Sequence, residues 1–321
     1  MDIREVDART APDEVLLRIA EIWRACLGED EPAWPLPSID DLIGFNRHQP
    51  ETDTRCHWLA DGGFAAVLVL GPRASFLQLR VDPERRRRGI GSALLAAAVD
   101  RAPQLGVEAL FAEHSTPAGA AFAANHGFAE RQRVVRSLLN LRAAALPDPR
   151  LPDEFRLATW LGRVPEEHLT AYVRARAAMD DAPDPEGMEF PTPTAETVRA
   201  WEEALARRGR EMRVTVALDG GGEIGSFTEL RLSRDSTLST TEDRGTVATQ
   251  RGKGLARAVK LESLRRLRDD HPEVELVSTQ NAEENAVMLH LNESLGFRRA
   301  VVMTTSVLDV GAFGSVGRQP R

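Results

Sequence analysis

A chain of 321 residues exceeds the size at which one hydrophobic core stops growing, which favours two domains of about 150 residues each. With 42% hydrophobic and 28% charged residues, it carries enough apolar material for packed cores and is too mixed for a disordered tail. A formal charge of −8 argues against a general binder of nucleic acid or anionic membrane, since either partner calls for a positive footprint.

The N-terminal MDIREVDART lacks the basic-then-apolar layout of a secretion signal, and no apolar run reaches the roughly 20 residues that span a bilayer. A cytoplasmic location with no membrane partner is expected. Ile3 to Val6 reads as a first strand, followed by two helical patterns; Cys26 lies on the amphipathic run and is expected to be a buried free thiol. Three strand-like runs come next: RCHWLA, which holds Cys56 and His57, then FAAVLVL and SFLQLRV. The third leads through Asp82-Pro83 into RRRRGIGSALL at 85–95, which opens a helix with Ile90, Leu94, Ala98, Ala102 and Leu105 on one stripe. VEALFAEH is a further strand, and a short helix ends at NHGF.

AAALPDPRLPDE at 143–154 has no periodicity and is rich in Pro and Asp, so residues 147–153 are read as a linker between domains 1–146 and 154–321. Beyond it the same order returns: a strand from Phe155, two helical patterns, and the runs MRVTVAL, EIGSFTELRL and TLSTTEDRGTVAT. QRGKGLARAVK at 250–260 then opens a helix, VELVSTQN is a strand, and a last short helix ends at ESLGF. Gly89 and Gly254 stand 165 positions apart, and Gly127-Phe128 and Gly296-Phe297 stand 169 apart, so the chain holds a duplication with few insertions. A Pro-rich stretch at 180–194 interrupts the second copy and is either a loop over a site or a surface excursion; Asp180, Asp181 and Asp184 within it would suit a cationic amine.

The basic glycine turns carry the functional signal. A helix begins with backbone N–H groups that lack internal partners and with the positive end of its dipole, and a turn without Cβ atoms admits an anionic oxygen to those donors. Arg86, Arg87 and Arg88 ahead of Gly89, and Arg251 and Lys253 around Gly252, add charge suited to a pyrophosphate. An isolated basic run would equally be a solvated surface, but this one recurs between a strand and an amphipathic helix. Neither turn fits GxxxxGK[ST] or GxGxxG.

Both turns do fit [QR]-x-x-G-x-[GA], and with ANHGF and NAEENAVMLHLNESLGF the chain resembles the GCN5-related N-acetyltransferase (GNAT) family once per half, as two-domain actinobacterial acetyltransferases do. The resemblance implies an α/β (α+β) fold of two tandem GNAT-like domains, each a mixed, mostly antiparallel splayed sheet flanked by helices. It implies acetyl-CoA, or another short acyl-CoA, wedged between the fourth and fifth strands. The pantetheine would pair with Leu79, Arg80 and Val81, or with Val247, Ala248 and Thr249. The pyrophosphate would rest on Arg86 to Ser92 (through Gly89, Ile90 and Gly91), or on Arg251 to Arg257 (through Gly254, Leu255 and Ala256). Asn281 and Asn285 would bond the pantetheine or cap the last helix.

Direct acyl transfer needs a deprotonated amine, a polarised carbonyl and a stabilised leaving thiolate. The first copy has no acid on its fourth strand, and Ala123 stands at the family's tyrosine position, leaving His57 and His114 as candidate bases. The second copy offers Glu229, Glu242 and Asp243, of which Glu242 is favoured as base, but has Asn292 at the tyrosine position; the chain's only tyrosine, Tyr172, falls on an early helix. The expectation is therefore an acyl-CoA-dependent N-acyltransferase acting on an amine of a small molecule, as monomer or homodimer. Its second copy would be catalytic, with Glu242, Glu229 and Asn292 in the site, and its first would bind coenzyme or serve structurally. The alternative is a non-catalytic acyl-CoA-binding sensor or scaffold.

Overall fold

The computed structural model describes all residues except 72, 74, 182–184, 189, 191, 234, 235 and 314–321, and the backbone alone at 180 and 181. Asp184, and the side chains of Asp180 and Asp181, therefore lie outside the described part. The first sequence copy gives β1 (Ile3–Val6), α1 (Asp13–Asp30), α2 (Ile39–Arg47), β2 (Thr54–Ala60), β3 (Gly63–Val69), β4 (Ser75–Val81), α3 (Ile90–Arg101), β5 (Ala109–His114), α4 (Pro117–Asn125) and β6 (Ala129–Asn140). The second gives β7 (Phe155–Leu161), α5 (Glu166–Arg176), α6 (Ala195–Arg207), β8 (Arg210–Asp219), β9 (Ile224–Ser233), β10 (Leu238–Thr246), α7 (Leu255–Asp270), β11 (Leu276–Ala282), α8 (Ala286–Ser294) and β12 (Arg298–Asp309). No described helix is long and apolar enough to cross a membrane.

The chain forms two compact units that do not coincide with its two sequence copies. One contains Met1–Val134 with the described parts of Asp184–Pro191 and Val301–Arg321; the other contains Val135–Pro183 and Thr192–Ala300, again in their described parts. In the first unit the strand order is β1-β2-β3-β4-β5-β12. Neighbours run antiparallel except β4 and β5, and β12 joins β5 antiparallel from Thr304 opposite His114 to Asp309 opposite Ala109. In the second unit the order is β6-β11-β10-β9-β8-β7, with β10 and β11 the parallel pair. Each sheet is thus mixed and mostly antiparallel, and each is completed by the closing strand of the other sequence copy. Part of the Pro-rich stretch belongs to the first unit, where the Phe190 ring stacks on Phe76 with centroids 6.0 Å apart and Met188 packs with Phe111.

Apolar spacing explains the packing. The α3 stripe of Ile90, Leu94 and Ala98 is buried against Ala65, Val67 and Leu77 of β3 and β4, with Leu110 and Leu308 in the same cluster. In the second unit Leu261, Leu264 and Leu267 of α7 meet Leu230 and Leu232 of β9, and β6 contributes Leu139. Full burial of a leucine-sized side chain contributes roughly 1.5–3 kcal/mol, so these layers dominate over any surface ion pair.

Cys26 and Cys56 are free thiols, as their spacing suggests. His57, one of the first copy's candidate bases, is fully buried on β2, where Nε2 bonds Asn46 Oδ1 at 2.9 Å. Burial, helped by the Arg55 charge, pushes its pKa down to about 4, so it is a neutral core residue near pH 7. Because the folded pKa lies below the unfolded value of 6.5, the unfolded chain binds the extra proton as pH falls. Stability is accordingly expected to drop by about 3 kcal/mol between pH 6.5 and 4 on this account. Urea unfolding across that window should show a shallower dependence in His57→Gln; an identical slope would rule the contribution out.

Candidate functional site

The parallel strands β4 and β5 are bonded only at Ser75 opposite Leu110 and Phe76 opposite Phe111. Beyond these pairs the strands part, and a cleft of about 480 Å³ lies in the first unit, with Leu79 to Val81 on one side and Ala112 to His114 on the other. Its floor is the basic turn, including Arg86, Gly89, Ile90, Gly91 and Ser92. Phe122, Ala123 and His126 of the α4 region and Met303 of β12 complete the wall.

The turn has the same backbone in both copies. Arg86 and Arg251 are extended, with φ/ψ of −60°/160° and −64°/154°. Arg87 (φ 64°) and Gly252 (φ 80°) are both left-handed, as are Gly89 and Gly254 (φ 79° each). Arg87 is the single described non-glycine residue at positive φ, a conformation that costs a residue with a Cβ about 1 kcal/mol or more. The first backbone bonds of α3 and α7 are donated by Ala93 to Gly89 O at 3.0 Å and by Ala258 to Gly254 O at 3.1 Å, so the amides ahead of them face outward as at any helix start. A Cβ at Gly89 would meet open space, whereas one at Gly91 would meet the Phe122 ring at 3.0 Å. Arg87, Arg88 and Gly89 are exposed, as are Gly252, Lys253 and Gly254, so both turns present donors and positive charge where an anion can approach.

The first arginine of each turn has a different duty from the one its charge suggests. Arg86 Nε donates to Val81 O at 3.2 Å, and Arg251 Nε donates to Thr246 O at 3.3 Å, in each case the last residue of the preceding strand. Arg86 also makes a two-pronged bond to Asp30 at 2.8 Å on both prongs. These side chains pin the turn to the strand end. The other side chains are shared: Arg85 pairs with Asp61, Arg88 donates to Glu84 O at 3.2 Å, and Lys253 lies 3.3 Å from Glu154. Ser92 Oγ bonds His126 Nε2 at 2.9 Å, while Arg257 donates to Ser294 Oγ at 2.7 Å.

His114, at the end of β5, borders the cleft, and its Nε2 bonds Ser306 Oγ of β12 at 3.2 Å. Partial burial lowers its pKa, which favours the neutral imidazole. Glu31, buried at the end of α1, accepts from Ser115 Oγ at 3.0 Å, and Glu113 borders the same cleft. Cys26 also faces it, donating to Val81 O at 3.2 Å, with its thiol pKa raised by burial.

In the second unit the acids lie inside a charge network. Glu229 of β9 is 1% exposed and bonds both Tyr172 Oη and Arg176 of α5, whose other prong bonds Asp243. Arg176 also lies 4.9 Å from the Trp201 ring. Burial pushes the Glu229 carboxyl up to about 7 even with that guanidinium beside it. Glu242 pairs with Arg231 at 3.6 Å. Asn292 is 1% exposed, accepts from Lys260 and donates to Asn281 Oδ1 at 2.7 Å; burial holds the Lys260 ammonium well below the usual lysine range. Asn285 caps α8, accepting from Met288 N at 3.2 Å. Strand β10 ends at Thr246, so Val247 to Thr249 lie in the turn beyond it, and Arg244 to Thr246 are the positions that match Leu79 to Val81. Sequence reasoning singled out neither Arg176, Arg244 nor Lys260; laying the two turns in register would have set Arg244 against Leu79 and Lys260 against Leu95.

Comparison with known proteins agrees with this geometry. Residues 7–128 match the acetyltransferase (GNAT) family. A mycothiol acetyltransferase of Nocardioides sp. is 31% identical over 215 residues, covering 67% of this chain and 68% of the relative. One from Gordonia bronchialis is 27% identical, covering 77% and 78%. Among solved structures, a tandem GNAT protein from the clavulanic acid biosynthesis pathway superposes with a TM-score of 0.82 at 25% identity, over 97% of this chain and 98% of that one. A GCN5-related N-acetyltransferase from Sphaerobacter thermophilus gives 0.69 at 15% identity over 96% of each chain, which speaks for the fold.

The Arg176 network makes a direct prediction. Arg176→Met leaves Glu229 buried without its partner and should destabilise the protein by about 3 kcal/mol or more, because an uncompensated buried charge is costly. Adding Glu229→Gln should recover part of that loss, read as the urea midpoint. A single variant within about 0.5 kcal/mol of wild type would mean the pair is not a structural support.

Proposed function

Because this chain belongs to the acetyltransferase (GNAT) family and is an N-acetyltransferase that uses acetyl-CoA, we propose that it acetylates an amine of a small molecule in the cleft of its first unit. One observation carries this reading: the strands β4 and β5 part directly above a helix start whose glycine turn leaves its amides open. The residues present suit the coenzyme. The α3 amides and the exposed Arg87 and Arg88 would hold the pyrophosphate, and the free edges at Leu79 to Val81 and Ala112 to His114 would take the pantetheine. Relatives of this chain are named mycothiol acetyltransferases, and the carboxylates of Glu31 and Glu113 at this cleft suit an ammonium on a small acceptor.

Bound acetyl-CoA supplies an acetyl group activated as a thioester. This chain orients the acceptor beside it and takes a proton from the attacking nitrogen, for which His114 is the proposed base; as the C–N bond forms the thioester C–S bond breaks, and CoA leaves as a thiolate that takes up a proton from solvent. The imidazole is biased to its neutral form, Ser306 holds it through Nε2, and Nδ1 has no hydrogen-bond partner among the described residues. Ser306 thereby acts as a positioning residue supplied by β12.

A second reading keeps the chemistry in the second unit. Glu229 has a pKa near 7, suited to a base at neutral pH, with the Tyr172 hydroxyl bonded to it. Ion pairing to Arg176 and full burial weigh against access to a substrate. With acetyl-CoA and a panel of small amines, His114→Gln should lower kcat at least tenfold and abolish a pH limb lying below the ordinary histidine value of 6.5. Acetyl-CoA affinity should change little. If Glu229→Gln removed turnover in a folded protein while His114→Gln did not, the second reading would stand.

A further inference from the structure

The two units differ at the place where their parallel strands part. In the first, Leu79 of β4 and Ala112 of β5 both line the open cleft. Leu79 and Arg244 stand at equal distances ahead of Arg86 and Arg251. Ser75 opposite Leu110 and Thr240 opposite Ser278 are the last or next-to-last bonded pairs of equivalent strands, which sets Ala112 against Gln280. At those two positions in the second unit the gap is bridged: Arg244 Nη2 donates to Gln280 O at 2.5 Å. Its Nη1 donates to Glu242 O at 3.2 Å and its Nε is buried, so a half-buried side chain carries the guanidinium across the gap.

Polar groups continue behind it. Lys260 occupies the place of Leu95, Asn292 that of Ala123 and Asn281 that of Glu113, and the three are joined in one buried chain of hydrogen bonds. An acyl-CoA arm lying along β10 would need the Gln280 carbonyl edge that Arg244 already holds. Displacing the guanidinium would return that carbonyl to an unpaired state.

We infer that Arg244 closes the slot between β10 and β11, so that the chain takes one acetyl-CoA, in its first unit, and the second unit keeps the anion turn without a usable cleft. This rests on the reading that the first cleft takes acetyl-CoA, and the two can fail separately. Calorimetric titration with acetyl-CoA should give one site per wild-type chain and none after Gly89→Val, which sets a β-branched residue at φ 79°. Gly254→Val should still bind one. Arg244→Leu, which installs the first unit's residue, should bind two, with thermal melting as the check that it folds.

Hydrogen exchange on the wild-type protein gives a measure that needs no variant. Saturating acetyl-CoA should protect amides at 79–92 and 112–116 and leave 244–257 and 280–282 unchanged. Two sites in the wild type, protection at 280–282, or a folded Arg244→Leu protein that stays at one site would overturn the inference. No binding at all would instead sink the first-cleft reading and this inference with it.

Discussion

The parting of one parallel strand pair is the constraint from which the rest of each unit follows. Strands β4 and β5 share two bonded pairs and β10 and β11 share three, after which both backbones run on with edges that a closed sheet would pair. Unpaired buried N–H and C=O groups are expensive, so something must meet them. The first unit leaves them lining a cleft of about 480 Å³. The second meets part of the need with Arg244, which donates to Gln280 O. A single architectural feature therefore opens a cleft in one place and is spanned by a side chain in the other.

The turn below the cleft solves a second problem, the presentation of helix-start amides, and solves it with the same backbone regions in two different sequences. Glycine at 252 adopts the left-handed conformation at little cost, whereas Arg87 adopts it against its own preference. That the strained residue persists in the copy with the open cleft fits a turn whose shape matters more than its local comfort. The leading arginine explains how the shape is kept. Arg86 and Arg251 donate to the carbonyl that ends the preceding strand, so the residue that looks most like a phosphate ligand is the fastener of the loop.

Much of this was legible in the sequence, for stated reasons. Period-two and period-3.6 patterns located the strands and the α3 and α7 stripes, and the doubled turn gave the tandem GNAT architecture before any contact was known. What could not be read was how acids are spent. Glu229, Glu242 and Asp243 look alike in a string of letters, and only burial and the guanidinium of Arg176, which comes from a helix more than fifty residues upstream, distinguish a network member from an available base. The end of β10 was also misplaced in the sequence reading: its TLSTTEDRGTVAT run continues to Thr249, while the strand stops at Thr246 because Val247 caps a short 3₁₀ turn.

Pattern reading also had no means to assign the closing strands. Strand β12 ends the second copy, yet it pairs with β5, lends Met303 to the first unit's cleft and holds His114 through Ser306. Strand β6 ends the first copy, yet Leu139 packs among the leucines of α7, and Leu141 N donates to Glu275 O at 2.8 Å. A sheet edge left bare invites mispairing, and each unit covers the edge of its fifth strand with the other copy's last strand. The cleft is consequently built from both ends of the chain. A one-residue insertion or deletion in β12 that shifted Ser306 by one position would turn its side chain to the opposite face, because side chains alternate along a strand, and would release the histidine while leaving the anion turn intact.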